Sequence, residues 1–334
     1  MTGSFALAVD GGNSKTDLAL VAADGSLLAL ARGGRSSPHL VGLEGSVQLV
    51  DTLYKRALGM AGLDGPTRPR ADIAQLFMAG LDSPAEEEAF QSKAETRGWA
   101  KTTHVGNDTF AVLRAGTERG WGVAVVCGAG INCVGVSPDG RHARFPSLGT
   151  ISGDWGGGYD VGLAALHAAA RSEDGRGRRT TLERAVPAHF GLAAPHEVAE
   201  EIHLRRLEGR RLEELPPVVF AEAEHDEVAA EIVERLAGEV VALARVALQR
   251  LALEHEPVEV LLGGGLLQAS NGRLLGAIEA GVRDVAPAAV VRQASSPPVL
   301  GAGLLALDEL GAGTDAQERF RRELAAAVKG GGNG

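Results

Sequence analysis

Three glycine-rich turns each follow a short apolar run in this chain of 334 residues: Gly11-Gly12 after Phe5–Val9, Gly128-Ala129-Gly130 after Val123–Val126, and Gly263-Gly264-Gly265 after Val258–Leu262. A turn without Cβ atoms lets backbone N–H groups approach a phosphate closely. Any one of them is explained as well by the steric needs of a hairpin; three together, two in a repeated setting, point to a phosphate-bearing ligand. Two carboxylates could add chemistry to such turns. Asp10 ends the first apolar run, where it can also simply cap the turn. Asp108 lies in His104-Val105-Gly106-Asn107-Asp108-Thr109, which reads as a strand entering a helix. A carboxylate there can accept the proton of an attacking hydroxyl, or it can cap the helix, as Asn and Asp commonly do; the local sequence supports both. Neither common nucleotide fingerprint is present. No Gly-x-x-x-x-Gly-Lys-Ser/Thr occurs anywhere, and no Gly-x-Gly-x-x-Gly follows the first strand.

The elements that must position these residues form a repeated pattern. Phe5–Val9, Leu18–Val21 and Leu27–Leu30 are apolar runs separated by Asp10–Ser14 and by Asp24-Gly25, the pattern of a three-stranded meander. The pattern recurs with Val123–Val126, Asn132–Val136 and Arg141–Phe145, separated by Gly128–Gly130 and Pro138-Asp139-Gly140. The two units start 117 residues apart (Gly11 to Gly128), too long a period for a solenoid and suited to a duplicated domain. Between them Val47, Val50, Leu53, Tyr54, Ala57 and Leu58 recur at helical spacing, as do Val228, Ile232, Leu236, Val240, Ala244, Leu248 and Leu251 further on. Strands alternating with helices predict an α/β architecture. The expected division is residues 1–115 as one domain and 116–329 as the second. Gly311–Gln317 is expected to be a loop before a terminal amphipathic helix, and residues 330–334, Gly-Gly-Gly-Asn-Gly, a disordered tail.

Composition narrows the classes. Apolar residues at 45% and charged residues at 23% are ordinary for a globular protein. A formal charge of -10 argues against a nucleic-acid partner, since phosphate backbones select basic surfaces. No apolar run reaches the roughly 18 residues of a membrane helix, and the N-terminus lacks the pattern of a signal peptide. The chain is therefore expected in the cytoplasm, away from the membrane. Cys127 and Cys133 are too few for a disulfide framework or a structural zinc, and read as small core residues. His196, His203 and His225 fall in a charged helical region, and the basic stretch Arg171–Arg179 reads as a flexible surface loop.

A resemblance ties the motifs together. Asp10-Gly11-Gly12-Asn13-Ser14-Lys15-Thr16-Asp17 resembles the first phosphate motif of the actin/hexokinase/Hsp70 fold, and Cys127-Gly128-Ala129-Gly130-Ile131-Asn132 its second. Leu261–Leu266 resembles the adenosine motif, and Gly301-Ala302-Gly303-Leu304-Leu305-Ala306 the second connecting helix. Within that superfamily the chain is most similar to the BadF/BadG/BcrA/BcrD-type group, which includes N-acetylglucosamine kinases. The resemblance implies two ribonuclease-H-like α/β domains with ATP and an acceptor sugar in a cleft between them. It implies Asp10 as the Mg²⁺ residue, with Gly11, Gly12, Asn13, Ser14, Lys15, Gly128, Ala129 and Gly130 around the phosphates and Gly263, Gly264 and Gly265 beside the adenosine. Asp108 becomes the catalytic base, and Asn107, Asn132, Gly149 and Asp154 join it as sugar contacts. The activity implied is transfer of the γ-phosphate of ATP to a hydroxyl, the 6-hydroxyl by resemblance, of an amino sugar such as N-acetylglucosamine; glucosamine or another hexose derivative is an alternative. A homodimer is suggested by the family alone.

Two positions depart from the family's pattern. In Gly153-Asp154-Trp155-Gly156, Trp155 stands where the family has Glu; an indole could stack on the sugar's apolar face or pack beneath the loop. In Ser37-Pro38-His39, Pro38 stands where related kinases carry a sugar-contacting Asn. Two other classes therefore stay open: an ATPase that activates a partner enzyme, and a non-catalytic sugar or nucleotide sensor.

Overall fold

The computed structural model describes residues 3–65, 70–269 and 271–330. The chain forms two compact units, one of Met1–Trp121 with Ala294–Gly334, the other of Gly122–Gln293.

The first unit is built on β1 (Phe5–Gly11), β2 (Thr16–Ala22), β3 (Leu27–Gly33), β4 (Ala71–Met78) and β5 (Ala100–Asn107), in the order β3-β2-β1-β4-β5. The meander β1-β2-β3 is antiparallel, while β4 and β5 run parallel to β1. Central β1 is buried on both faces, which explains its unbroken apolar run. Phe5, Leu7 and Val9 meet Val47, Val50, Leu53 and Tyr54 of the helix Pro38–Met60. Ala6 and Ala8 point the other way, toward the helix Pro298–Glu309. That helix also lies close against the helix Asp108–Gly116: a Cβ on Gly301 would stand 1.9 Å from the Ala111 carbonyl oxygen. Small residues on that side of β1 and in that helix are the consequence of close approach.

The second unit repeats the plan with β6 (Gly122–Cys127), β7 (Ile131–Val136), β8 (His142–Arg144), β9 (Glu259–Gly263) and β10 (Val290–Gln293), in the order β10-β9-β6-β7-β8. Again the first three strands are antiparallel and the last two parallel to the central one. A run of helices separates β8 from β9 and ends in the long helix Glu227–Leu251. Asp226 caps its start, accepting the Ala229 N–H at 2.8 Å, and Ala252 ends it in the left-handed conformation. The two meanders and the helical stripes stand where their periodicity predicts them.

Four expectations change. Residues from Ala294 onward do not extend the second domain: Leu300, Leu304, Leu307, Phe320 and Leu324 share a core with Ala8, Ala19 and Val21 of the first unit. Periodicity marks an apolar face but not the core that the face meets. The loop expected over Gly311–Gln317 is shorter, because the last helix begins at Thr314. Gly330, expected in the tail, closes that helix, and residues 331–334 lie outside the described residues. The basic stretch after Arg171 forms a bonded turn, with Gly177 N–H donating to the Arg171 carbonyl at 2.7 Å and Arg176 paired with Asp174. Cys127 and Cys133 are buried on β6 and β7 and free, and burial pushes both thiols well above the usual range. Among the described residues no helix is long and apolar enough to cross a membrane.

Candidate functional site

In the first unit the polar groups gather at the ends of β1, β4 and β5. Gly12 N–H donates to the Lys15 carbonyl at 2.9 Å and closes the β1–β2 hairpin, leaving Asn13, Ser14 and Lys15 exposed at its tip. Gly11 is a packing glycine: an added Cβ would lie 2.3 Å from Met78 Cε and 2.6 Å from Ser36 Oγ. Ser36 braces the hairpin, its N–H donating to the Gly12 carbonyl at 3.1 Å and its hydroxyl accepting from Thr16 Oγ1 at 2.6 Å. Lys15 reaches back to Asp17 at 2.8 Å, and Arg32 holds the other Asp17 oxygen at 2.7 Å. Burial pushes the Asp17 carboxyl up, but the bonds from Arg32 and Lys15 outweigh it and hold it below the usual range.

Asp10 lies across β1–β2 from Asp17 in register. Its carboxyl is buried and pushed up to about 8, first by burial and then by the charges of Asp108 and Asp17, with only partial relief from Lys15 and Arg32. A carboxylate so short of counter-charge suits a bound cation. Among the described residues no three His, Cys, Asp or Glu side chains converge as a metal cage. Mg²⁺ does not ask for one, since it binds through one or two carboxylates, waters and substrate phosphates; the hard oxygens of Asp10 fit it.

Asp108 is the first residue of its helix and is pushed up to about 6, by burial first and by the charge of Asp82, against the pull of the Thr109 and Asp108 N–H groups. Asn107, expected as a sugar contact, serves a different role. It is 2% exposed and caps the helix, its Oδ1 accepting from Thr109 N–H at 3.0 Å and Thr109 Oγ1 at 2.7 Å. Its Nδ2 donates to the Leu81 carbonyl at 3.1 Å and to Asp82 Oδ1 at 2.9 Å. The two local readings of Asn107-Asp108 thus divide between the residues: Asn107 is the cap, and the Asp108 carboxylate is left off the cap, near enough for its charge to raise Asp10. Pro38 opens its helix, and the following His39 pairs with Glu86 at 2.9 Å.

In the second unit the glycine turns lie against one another. No heavy atom stands within 4 Å of a Cβ placed on Gly128 or Gly130, as an open loop requires. The turn is instead supported from below. A Cβ on Gly157 would stand 2.0 Å from the Ala129 carbonyl oxygen, and Gly158 N–H donates to the Gly128 carbonyl at 2.8 Å. Gly264 (φ +82) lies on Cys127, where a Cβ would stand 2.1 Å from the carbonyl oxygen. Gly263 is buried and Gly265 exposed. Asn132 Oδ1 accepts from Ser147 Oγ at 2.6 Å and from Cys133 N–H at 2.7 Å. Gly149 (φ +65) accepts the Asp154 N–H at 3.0 Å, and Ser152 donates to the Asp154 carboxylate, fixing that loop. Trp155 carries the guanidinium of Arg235 on its ring at 4.0 Å, a cation–π stack that covers one face of the indole.

The structure therefore brings Asp10, Asp108 and the Gly11–Lys15 hairpin together in the first unit, and Gly128–Gly130, Gly263–Gly265, Asn132, Gly149 and Asp154 together in the second. Sequence reasoning missed Asp82, Glu86, Asp160 and Arg235. Only Glu86 had a local signal: Ser83-Pro84-Ala85-Glu86 is a capping box, and both of its bonds form. Asp160 accepts from Gly156 and Gly157 N–H at 3.1 and 3.3 Å, fixing the loop under the second hairpin.

The profile of the BadF/BadG/BcrA/BcrD ATPase family matches residues 7–306. The chain is 26% identical over 268 residues to an N-acetylmuramic acid/N-acetylglucosamine kinase of Clostridium acetobutylicum, spanning 80% of this chain and 87% of that one. It is 23% identical over 316 residues to an N-acetyl-D-glucosamine kinase of Dictyostelium discoideum, spanning 92% and 99%. Among solved structures it is similar to a Chromobacterium violaceum protein described as a candidate N-acetylglucosamine kinase, with a TM-score of 0.70, 27% identity and coverage of 91% and 99%. A ROK family glucokinase of Streptomyces griseus, solved with glucose and AMPPNP, shares the fold at a TM-score of 0.52, 17% identity and coverage of 90% and 99%.

Proposed function

The chain belongs to the BadF/BadG/BcrA/BcrD ATPase family, and from that membership we propose that it is an ATP-dependent kinase that phosphorylates N-acetylglucosamine on its 6-hydroxyl. The observation that carries the reading is Asp108, a buried carboxylate at a helix start whose charge reaches Asp10 and which is itself pushed up to about 6. At neutral pH such a group is mostly ionised yet takes a proton readily, which is what a general base needs. Asp108 accepts the proton of the sugar hydroxyl as its oxygen bonds to the γ-phosphorus, and the bond to the leaving ADP oxygen breaks. Asp10 would hold Mg²⁺, and the ion would supply charge neutralisation on the phosphates. The exposed tip Asn13–Lys15 and the open turn Gly128–Gly130 bind the phosphates, and Gly263–Gly265 the adenosine. Asn132 and Asp154, each with a carbonyl or carboxylate oxygen fixed by a serine hydroxyl, orient the sugar.

The relatives named as acetylglucosamine kinases support the choice of sugar. The test is ADP release by the purified protein with MgATP against N-acetylglucosamine, glucosamine, N-acetylmuramic acid, N-acetylmannosamine and glucose, followed by location of the phosphate on the product. Stimulation by N-acetylglucosamine with a 6-phosphate product is expected. ATP turnover indifferent to every sugar overturns the reading.

A further inference from the structure

A second carboxylate lies near enough to the one assigned as base for its charge to act on it, and nothing in the local sequence singles it out. Asp82 follows β4 in the turn Ala79-Gly80-Leu81-Asp82-Ser83, which leads into the helix Pro84–Glu95. Its own position is fixed from behind: Asp82 N–H donates to Glu86 Oε2 at 3.0 Å, and the same oxygen takes the Ser83 N–H at 2.8 Å. Glu87 of that helix accepts the Asn107 N–H at 3.2 Å. From this anchored turn Asp82 Oδ1 and the Leu81 carbonyl together take the Asn107 Nδ2.

An amide held at its nitrogen end can turn in only one way, so its Oδ1 faces the Thr109 N–H and hydroxyl. Asp108 lies between these two clamped neighbours, with its Cα–Cβ direction set by the first helical turn. Without the acceptors on the Asp82 turn, Asn107 could rotate or flip and the cap would loosen, since an N-cap depends on the side-chain oxygen reaching the second or third N–H. Misplacement of a reacting group by about 1 Å costs on the order of 100-fold in rate.

We propose that Asp82 is a positioning residue for the reaction, acting on Asp108 through the buried amide of Asn107. The proposal rests on the assignment of Asp108 as the base. It requires an acceptor oxygen at position 82 with the reach of an aspartate; the Asp82 charge, which also raises Asp108, is a separate effect, so the variants are compared at about pH 8, where Asp108 is ionised with or without it.

That distinction makes it testable. Asp82→Asn keeps a side-chain carbonyl oxygen for Asn107; Asp82→Ala leaves Asn107 Nδ2 the Leu81 carbonyl alone, and Asp82→Ser keeps a polar side chain in the turn but is too short to reach. Two readouts are taken on the full chain: kcat and the KM for ATP with the best sugar, and hydrogen exchange of the peptide that spans Asn107–Leu113. Asp82→Ala and Asp82→Ser are expected to lower kcat about 10- to 100-fold with the KM for ATP within about twofold, and to speed exchange at the start of the helix. Asp82→Asn is expected to restore kcat to within about threefold and exchange to the wild-type rate. Retention of kcat and of slow exchange in both truncated variants overturns the proposal, as does an Asp82→Asn protein that loses both as fully as Asp82→Ala. If the wild-type protein phosphorylates no sugar, the kinase reading fails, and the exchange measurement still decides whether Asp82 holds the cap.

Discussion

The two sheets share one topology and use it differently at the turn after their first strand. In the first unit Gly11 is buried beneath Met78 and Ser36, and the chemistry there belongs to the carboxylates Asp10 and Asp108. In the second unit Gly128 and Gly130 are unobstructed, no ionisable side chain stands in the turn Gly128–Gly130, and the support comes from Gly157 and Gly264 behind it. A duplicated hairpin has thus kept glycine for two different reasons, close packing in one copy and open backbone in the other. Glycine at matching positions of a repeat is therefore no guide to a shared role until the space beside each one is measured.

The largest effect expected from separating the two halves is Asp108→Asn. Removal of the base should lower sugar-stimulated turnover about 1000-fold, roughly 4 kcal/mol of transition-state stabilisation, while ATP affinity measured by calorimetry stays within a few-fold. Retained turnover would move the chemistry out of the first unit. Next comes Gly264→Ala, whose methyl would meet the Cys127 backbone at a positive φ. Urea unfolding should show a loss of about 3 kcal/mol, and a mild effect would mean the second hairpin yields more easily than its contacts imply. Gly11→Ala should cost less, about 2 kcal/mol, because Met78 meets it with the flexible end of its side chain.

Asp10→Asn separates stability from function. The Asp10 carboxyl is raised from 3.8 to about 8 in the folded chain, so the folded state holds a proton that the unfolded state has released. That contribution is full below about pH 4 and is lost as pH rises toward about 8. In the absence of metal, Asp10→Asn should therefore melt higher than the wild type by a margin that grows across that window, yet lose Mg²⁺-dependent turnover. A margin that is flat with pH would count against a buried, counter-charge-poor Asp10. The smallest change is Gly128→Ala, with stability within about 0.5 kcal/mol of wild type and a raised KM for ATP. An equal loss of stability at Gly11 and Gly128 would erase the contrast between the hairpins.

Much of this architecture was legible in the chain. Asp24-Gly25 and Pro138-Asp139-Gly140 punctuate both meanders, and the stripe Val47–Leu58 is the buried face of its helix. The destination of Gly301–Ala306 was not legible, because an apolar helix face carries no mark of which core it will meet. At the site, Asp10, Asp108 and the glycine turns could be read from residue type and strand ends. Asp82 could not, because its partner Asn107 lies 25 residues away and only the parallel pairing of β4 with β5 brings the ends of those strands together. Arg235 likewise has no signal until the long helix is laid against the Trp155 loop. Trp155 could be read only as a choice between stacking and packing, and the structure gives one of its faces to Arg235.

The return of the helix Pro298–Glu309 to β1 carries a consequence for synthesis. Gly122–Gln293 is contiguous and contains its whole sheet, so it can close as soon as it leaves the ribosome. The unit that is started first is finished last: Ala6 and Ala8 on β1 lack their covering helix until translation has passed Glu309. A ribosome stalled between those points would carry one completed unit and one with a bare alanine face, which makes the nascent chain, and not the finished protein, the form most in need of a chaperone.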